Sequence, residues 1–179
     1  MSLFFAVVHE AEADFQTATE IADRVLLEAI YWLDDSGLDY QRTWVSHTPN
    51  GERLTWKRIK QLARDAGIAV SGHIDNQPAY PDARAARRAI LYLLTLFSEL
   101  EGIIVVRDQD DQPERRDGLE QARREFSGSI AIVIGFAIVE REAWVISGFD
   151  PRILSHELTA CKKRPNSAHS QTSPEELVS

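Results

Sequence analysis

The sequence predicts an α/β fold, a mainly parallel sheet of about four strands flanked by helices. Two observations carry that expectation. The apolar runs at residues 3–8, 103–106 and 129–139 are continuous rather than alternating, the pattern of strands buried on both faces. Between them lie segments of ten or more residues whose apolar positions recur at three- and four-residue steps, the pattern of amphipathic helices. Strands joined by connections of that length pair in parallel through crossovers.

Leu3 to Val8 ends at the polar pair His9-Glu10 and forms the first strand. From Ala13 to about Asp35, residues Phe15, Ala18, Ala22, Val25, Leu26, Ala29, Trp32 and Leu33 mark the inward stripe of one long helix, with Gly37 placed to end it. Arg42 to His47 reads as a second strand, followed by the turn-rich Thr48-Pro49-Asn50-Gly51. Trp56 to Ala66 is a helix stopped by Gly67, with Ile68-Ala69-Val70 a short strand after it. Residues 71–82, with Gly72, Pro78 and Pro81, read as a loop. Pro81 or Asp82 opens a helix to about Leu100, with Ala83, Ala86, Ile90, Leu93, Leu94 and Phe97 inward and Gly102 at its end. Ile103 to Val106 is the central strand, β-branched throughout. Pro113 to Phe126 is a charged helix, Ser129 to Val139 a further strand, and Glu140 to Trp144 the start of a short helix. The four Trp are assigned to core and helix–sheet packing. Residues 1–150 then form one domain, and 151–179 a polar extension without apolar periodicity, expected to be mobile.

Composition narrows the function classes. The 179 residues are 44% hydrophobic and carry 20 basic against 28 acidic side chains, a net charge of −8. That suits a cytoplasmic globular protein, not one that coats nucleic acid through a basic surface. The single cysteine, Cys161, excludes a disulfide scaffold, and with His156 it lacks the spacing and partners for zinc. The N-terminal apolar run is too short for a signal peptide or a membrane span.

Sites in open parallel sheets form at the carboxyl ends of strands. Three strands here end in acids: Glu10 with Glu12 and Asp14, Asp108 with Asp110 and Asp111, and Glu140 with Glu142. Converging carboxylates repel unless a cation neutralises them, and Mg²⁺ or Mn²⁺ takes such oxygen ligands. Asp108 and Asp110, two apart in extended backbone, would project on the same side; Glu10 and Asp14, four apart at a strand-to-helix junction, would share a face. The competing reading is structural: Asp14 as a helix N-terminal acid favoured by the macrodipole, Asp110 or Asp111 as a helix starter, Glu140 and Glu142 as a solvated first turn.

A hydrophobic strand ending in Glu10 with Asp14 four residues on, a central strand ending in Asp108-x-Asp110, and a later strand followed by Glu140-x-Glu142 and Trp144 resemble the Toprim domain. More closely they resemble the Toprim nuclease part of overcoming-lysogenization-defect family proteins and small stand-alone bacterial Toprim-like proteins. The resemblance covers roughly residues 3–148 and implies a Rossmann-like sheet and a two-metal phosphodiester-cleaving site. It implies Glu10, Asp108 and Asp110 as catalytic metal ligands, with Asp14, Glu140 and Glu142 supporting them. The Gly usual after the first Glu is Ala11 here, and Glu12 competes with Glu10 for the first position. The chain shows no ATPase module, so coupling to nucleotide hydrolysis would need a separate ATPase chain. The implied partners are nucleic acid, DNA before RNA, and a second copy of the chain in a homodimer.

Phosphate contacts would come from local basic faces: Lys57, Lys60 and Arg64 on one side of their helix, and Arg84, Arg87 and Arg88 near the start of another. The plain alternative is solvated helix faces. His73 in its Gly loop is a candidate for proton transfer, with simple exposure as its alternative. Two further functional readings stay open: a non-catalytic interaction module partnering an ATPase or toxin, and metal-dependent phosphoryl chemistry on a small nucleotide.

Overall fold

The computed structural model describes residues 2–74 and 76–137. Glu140, Glu142, Trp144 and the polar extension at 151–179 lie outside the described residues. The elements run β1 (Leu3–Val8), α1 (Glu12–Ala29), α2 (Asp35–Gln41), β2 (Arg42–Val45), α3 (Trp56–Asp65), β3 (His73–Ile74), β4 (Gln77–Pro78), α4 (Pro81–Leu96), β5 (Leu100–Asp108), α5 (Glu114–Glu125) and β6 (Ala131–Ala137). Four strands form one all-parallel sheet in the order β2-β1-β5-β6, and β3 with β4 form a small antiparallel pair. The α/β class, the parallel sheet and its flanking helices are those read from the sequence.

The two innermost strands are the two most continuous apolar runs. Alternate side chains of a strand point to opposite faces. Ala6, Val8, Ile103 and Val105 enter the larger core, with Ile59, Ala63, Ala86, Ala89, Ile90, Leu93, Leu119 and Ala122 from α3, α4 and α5. Val7, Ile104 and Val106 enter a smaller core with Ala18 of α1. Burying a Val or Ile side chain is worth about 1.5–3 kcal/mol, so both faces of β1 and β5 contribute.

Several boundaries differ from the sequence reading. The long helix from Ala13 to Asp35 is two helices, because the chain leaves helical geometry at Ile30 and restarts at Asp34. The Asp34 carboxylate accepts from the Gly37 N–H at 2.8 Å, so Gly37 sits in the first turn of α2 and ends nothing. The stripe of α1 is only half covered: Ile21 is 47% and Val25 57% exposed, and Trp32, beyond the helix, is 61% exposed instead of in the core. Among the described residues α1 is the main helix on that sheet face, whereas three helices cover the other. Ile68-Ala69-Val70 is not a strand, and the expected loop at 71–82 contains the β3–β4 pair. The helix expected to reach Leu100 stops at Leu96, with Phe97 its cap. Gly102 lies inside β5 beside a register shift opposite Phe4 and Phe5, where an added Cβ would stand 3.2 Å from the Phe5 ring. Among the described residues no helix is long and apolar enough to cross a membrane.

Candidate functional site

The strand order sets β1 beside β5, so both strands deliver their carboxyl ends to one edge of the sheet. A cleft of about 360 Å³ opens there. Its floor is apolar, made by Trp56, Ile59 and Ala85, and its charged wall is Glu10, Lys57, Lys60, Arg88, Arg107, Asp110 and Arg115. Glu10 follows β1, Trp56 to Lys60 come from α3, Ala85 and Arg88 from α4, Arg107 from β5, Asp110 from the loop after β5, and Arg115 from α5. Five cationic side chains face two carboxylates, so the cleft is +3 in a chain of −8.

The two carboxylates are each met by an arginine. Glu10 Oε1 accepts from the Arg107 guanidinium at 2.9 Å, across 97 positions of sequence. Arg107 also reaches Asp82 at 3.2 Å and lies over the Trp56 ring, 5.3 Å from its centroid. The Trp56 indole N–H donates to the Val106 carbonyl at 2.7 Å, tying α3 to the end of β5. Asp110 Oδ2 accepts from Arg115 at 2.6 Å, and the same guanidinium nitrogen donates to the Asp108 carbonyl at 2.9 Å. Asp110 and Asp111 both have positive φ, 46° and 57°, a conformation that costs a non-glycine residue about 1–2 kcal/mol. Arg115, its side chain 12% exposed, therefore clamps a strained loop onto the end of the central strand.

The sequence-predicted residues separate into two groups. Glu10, Asp110, Lys57, Lys60 and Arg88 share the cleft. Arg64 and Arg84 are exposed and do not line it, and Arg87 is paired to Glu125 at 2.8 Å and donates to the His73 carbonyl. Asp108 is not a lining residue either. The extended backbone expected from Asp108 to Asp110 is not present, because the chain enters the left-handed region at Asp110. Nor do Glu10 and Asp14 share a face. Asp14 is buried, and its Oδ2 accepts from the Ala11 N–H at 2.7 Å, which satisfies one of the orphan donors of α1. Glu12 turns to Arg53 at 3.6 Å, so Glu10 is the acid of this group that faces the cleft. Among the described residues no three His, Cys, Asp or Glu side chains stand close enough to hold a metal ion. His73 is exposed on β3, away from the cleft.

Sequence reasoning missed Arg107, Arg115 and the role of Trp56. The signal for Arg107 was present: it is the first charged residue after the central apolar run, directly before the acids. It also missed His9, which is fully buried in the turn that carries Glu10. His9 Nδ1 lies 2.8 Å from the Ala11 carbonyl, which only accepts, so Nδ1 carries the hydrogen. Nε2 is then a buried lone pair with no hydrogen-bond partner, and burial holds the imidazole below its ordinary value of 6.5. No family model, curated protein or solved structure matches the chain.

Proposed function

We propose that the chain is a divalent-metal-dependent nuclease that cleaves phosphodiester bonds in nucleic acid, DNA before RNA, at this cleft. The observation that carries the reading is the meeting of Glu10 and Asp110 with Lys57, Lys60 and Arg88 in one cleft at the carboxyl ends of β1 and β5. Two of the six candidate acids and three of the six candidate cations meet there, from four separate segments. The resemblance to Toprim nucleases supports the same reading.

The donor chemistry fits Mg²⁺ or Mn²⁺ in its sparse mode. Such ions are commonly held by one or two carboxylates, with waters and substrate phosphates completing the shell. Glu10 and Asp110 would hold the ion, which supplies Lewis-acid stabilisation of the attacking and leaving oxygens. The chain's own residues do the remainder. Lys57, Lys60 and Arg88 attract and hold phosphate, and Arg107 and Arg115 keep the carboxylates neutralised until a phosphate offers their guanidinium groups new acceptors. A second reading, a non-catalytic phosphate-binding interaction module, is favoured by one specific observation: both cleft acids are already engaged by arginines.

The deciding experiment is nicking of supercoiled plasmid with Mg²⁺ or Mn²⁺, wild type against Asp110→Ala and Glu10→Gln. Nicking by the wild type that falls at least about a hundredfold in either variant is the expected result. Equal activity in all three proteins, or none in the wild type with either metal, overturns the nuclease reading; the second outcome leaves the interaction module.

A further inference from the structure

The charges of the cleft are unevenly matched. Arg107 and Arg115 answer the two carboxylates, but Lys57, Lys60 and Arg88 take part in no ion pair among the described residues. Three uncompensated cations drawn from α3 and α4 into about 360 Å³ repel one another, an arrangement that an anion relieves. An internal phosphodiester brings one negative charge to such a space, whereas a terminal phosphate brings about −1.5 to −2 near pH 7.

Volume and lining narrow the ligand further. The cleft sits at the small end of the roughly 300–1,000 Å³ of single-ligand pockets, room for one nucleotide unit. Trp56 and Ala85 give it a partly exposed apolar floor over the buried Ile59, which a bare inorganic anion does not use and a sugar and base do. Trp56 is fixed from behind by the Val106 carbonyl and Arg107 lies over its ring, so the floor is rigid before anything binds.

We propose that Lys57, Lys60 and Arg88 form a pocket for a terminal phosphate, so that the cleft takes a single nucleotide unit ending in a phosphomonoester, with its base and sugar on the partly exposed Trp56 and Ala85. This rests on the reading of the cleft as a nucleic-acid site and adds a subsite to it: the place of the phosphate-bearing strand end that cleavage of a phosphodiester leaves.

The test is binding without metal, in EDTA, so that cleavage does not enter. The probes are a short single-stranded oligodeoxynucleotide with a 5′-phosphate, the same strand with a 3′-phosphate, the unphosphorylated strand, a deoxynucleoside monophosphate, its nucleoside and inorganic phosphate. Binding is followed by calorimetry and by Trp fluorescence, with Trp56→Phe marking the signal from the floor. A phosphorylated strand at one of its ends binds about tenfold or more tighter than the unphosphorylated one, as for charge-assisted hydrogen bonds gained. Lys57→Ala/Lys60→Ala and Arg88→Ala bring that preference to within about twofold while melting as the wild type does, since these side chains reach into the cleft and not into the core. Arg24→Ala, exposed on α1, keeps the full preference. If the monophosphate shows the same preference over its nucleoside, the pocket serves free nucleotides and strand ends alike; if only the strands do, it is specific to strand ends. Equal binding of phosphorylated and unphosphorylated probes overturns the proposal, as does a preference that survives in the cation variants, or inorganic phosphate binding as tightly as either nucleotide probe. Plasmid nicking without an end-phosphate preference removes this inference alone; the preference without nicking removes the nuclease reading alone.

Discussion

Gly118→Ala should destabilise the protein, although a Gly inside a helix normally costs stability. Replacing a helical Gly by Ala ordinarily gains about 1 kcal/mol in helix propensity. Gly118 lies in α5 where that helix meets the start of α4, and it is buried. A Cβ there would stand 2.9 Å from the Ala83 backbone nitrogen and 3.2 Å from the Cβ atoms of Asp82 and Tyr80. Relief requires α4 and α5 to separate by roughly half an ångström, because backbone and Cβ atoms cannot rotate aside. Overpacking of that kind costs about 1–3 kcal/mol, which offsets the propensity gain and leaves a net loss of up to about 2 kcal/mol. Urea unfolding reads it directly: with m near 1–3 kcal/mol/M, a loss of 1 kcal/mol lowers the midpoint by about 0.3–1 M at unchanged m. The separation should also reach the cleft, since Asp82 opens α4 and pairs with Arg107, which lies over Trp56. Trp fluorescence should therefore shift in the folded variant. A midpoint raised by the full propensity gain, with unaltered fluorescence, would falsify the claim that this glycine sets the helix spacing.

Three other perturbations have definite signs. Burial raises the Asp23 carboxyl, but hydrogen bonds from Arg42 and Trp44 outweigh it and hold the group below its ordinary 3.8. A depressed carboxylate contributes stability above its unfolded pKa and loses it as pH falls through the folded value. Arg42→Met should therefore lose about 1–3 kcal/mol near pH 7, and the gap to wild type should narrow below about pH 4; a gap constant with pH would show that the pair is not the cause. His9 has the opposite charge type: its folded pKa is lowered, chiefly by burial, so the unfolded chain binds the proton more readily. Stability should fall as pH drops from about 6.5 toward the folded value, and His9→Asn, which keeps an N–H donor without titrating, should flatten that slope between pH 5 and 7 in denaturant melts. Asp111→Gly removes side-chain strain at φ 57°, and thermal melting should show a gain of up to about 1 kcal/mol; a clear loss would mean that the Asp side chain, not the backbone, secures this loop.

The legible parts of the fold are those in which local pattern and tertiary environment agree. Leu3–Val8 and Ile103–Val106 read as strands because both faces are covered and every position is apolar; the second extends in the structure to Leu100–Asp108. The helix boundaries were harder, because apolar spacing continues through Ile30 to Leu33 although the helix does not. There the competition is between an amphipathic stripe and the Asp34 side chain, which starts a new helix by capping it. Gly102 differs for a related reason: a glycine after a helix reads as a stop, but here its missing side chain admits the Phe5 ring beside a strand irregularity.

The sequence by itself determined the α/β class, the parallel pairing implied by long crossovers, and the residue types that gather at strand ends, because these follow from periodicity along the chain. Only the tertiary structure decided which charge meets which. Setting β1 beside β5 brings Glu10 to Arg107 across 97 positions, α3 and α4 bring Lys57, Lys60 and Arg88 to the same opening, and the loop that turns through left-handed backbone at Asp110 and Asp111 sets the Asp110 carboxylate on Arg115. Hydrophobic pattern reports whether a position is buried, and it is indifferent to strand order and to the partner across the sheet. An ion pair depends on both. The acids that drew attention in the sequence are therefore placed by the fold within a cleft whose net charge is positive, in a chain whose total is strongly negative.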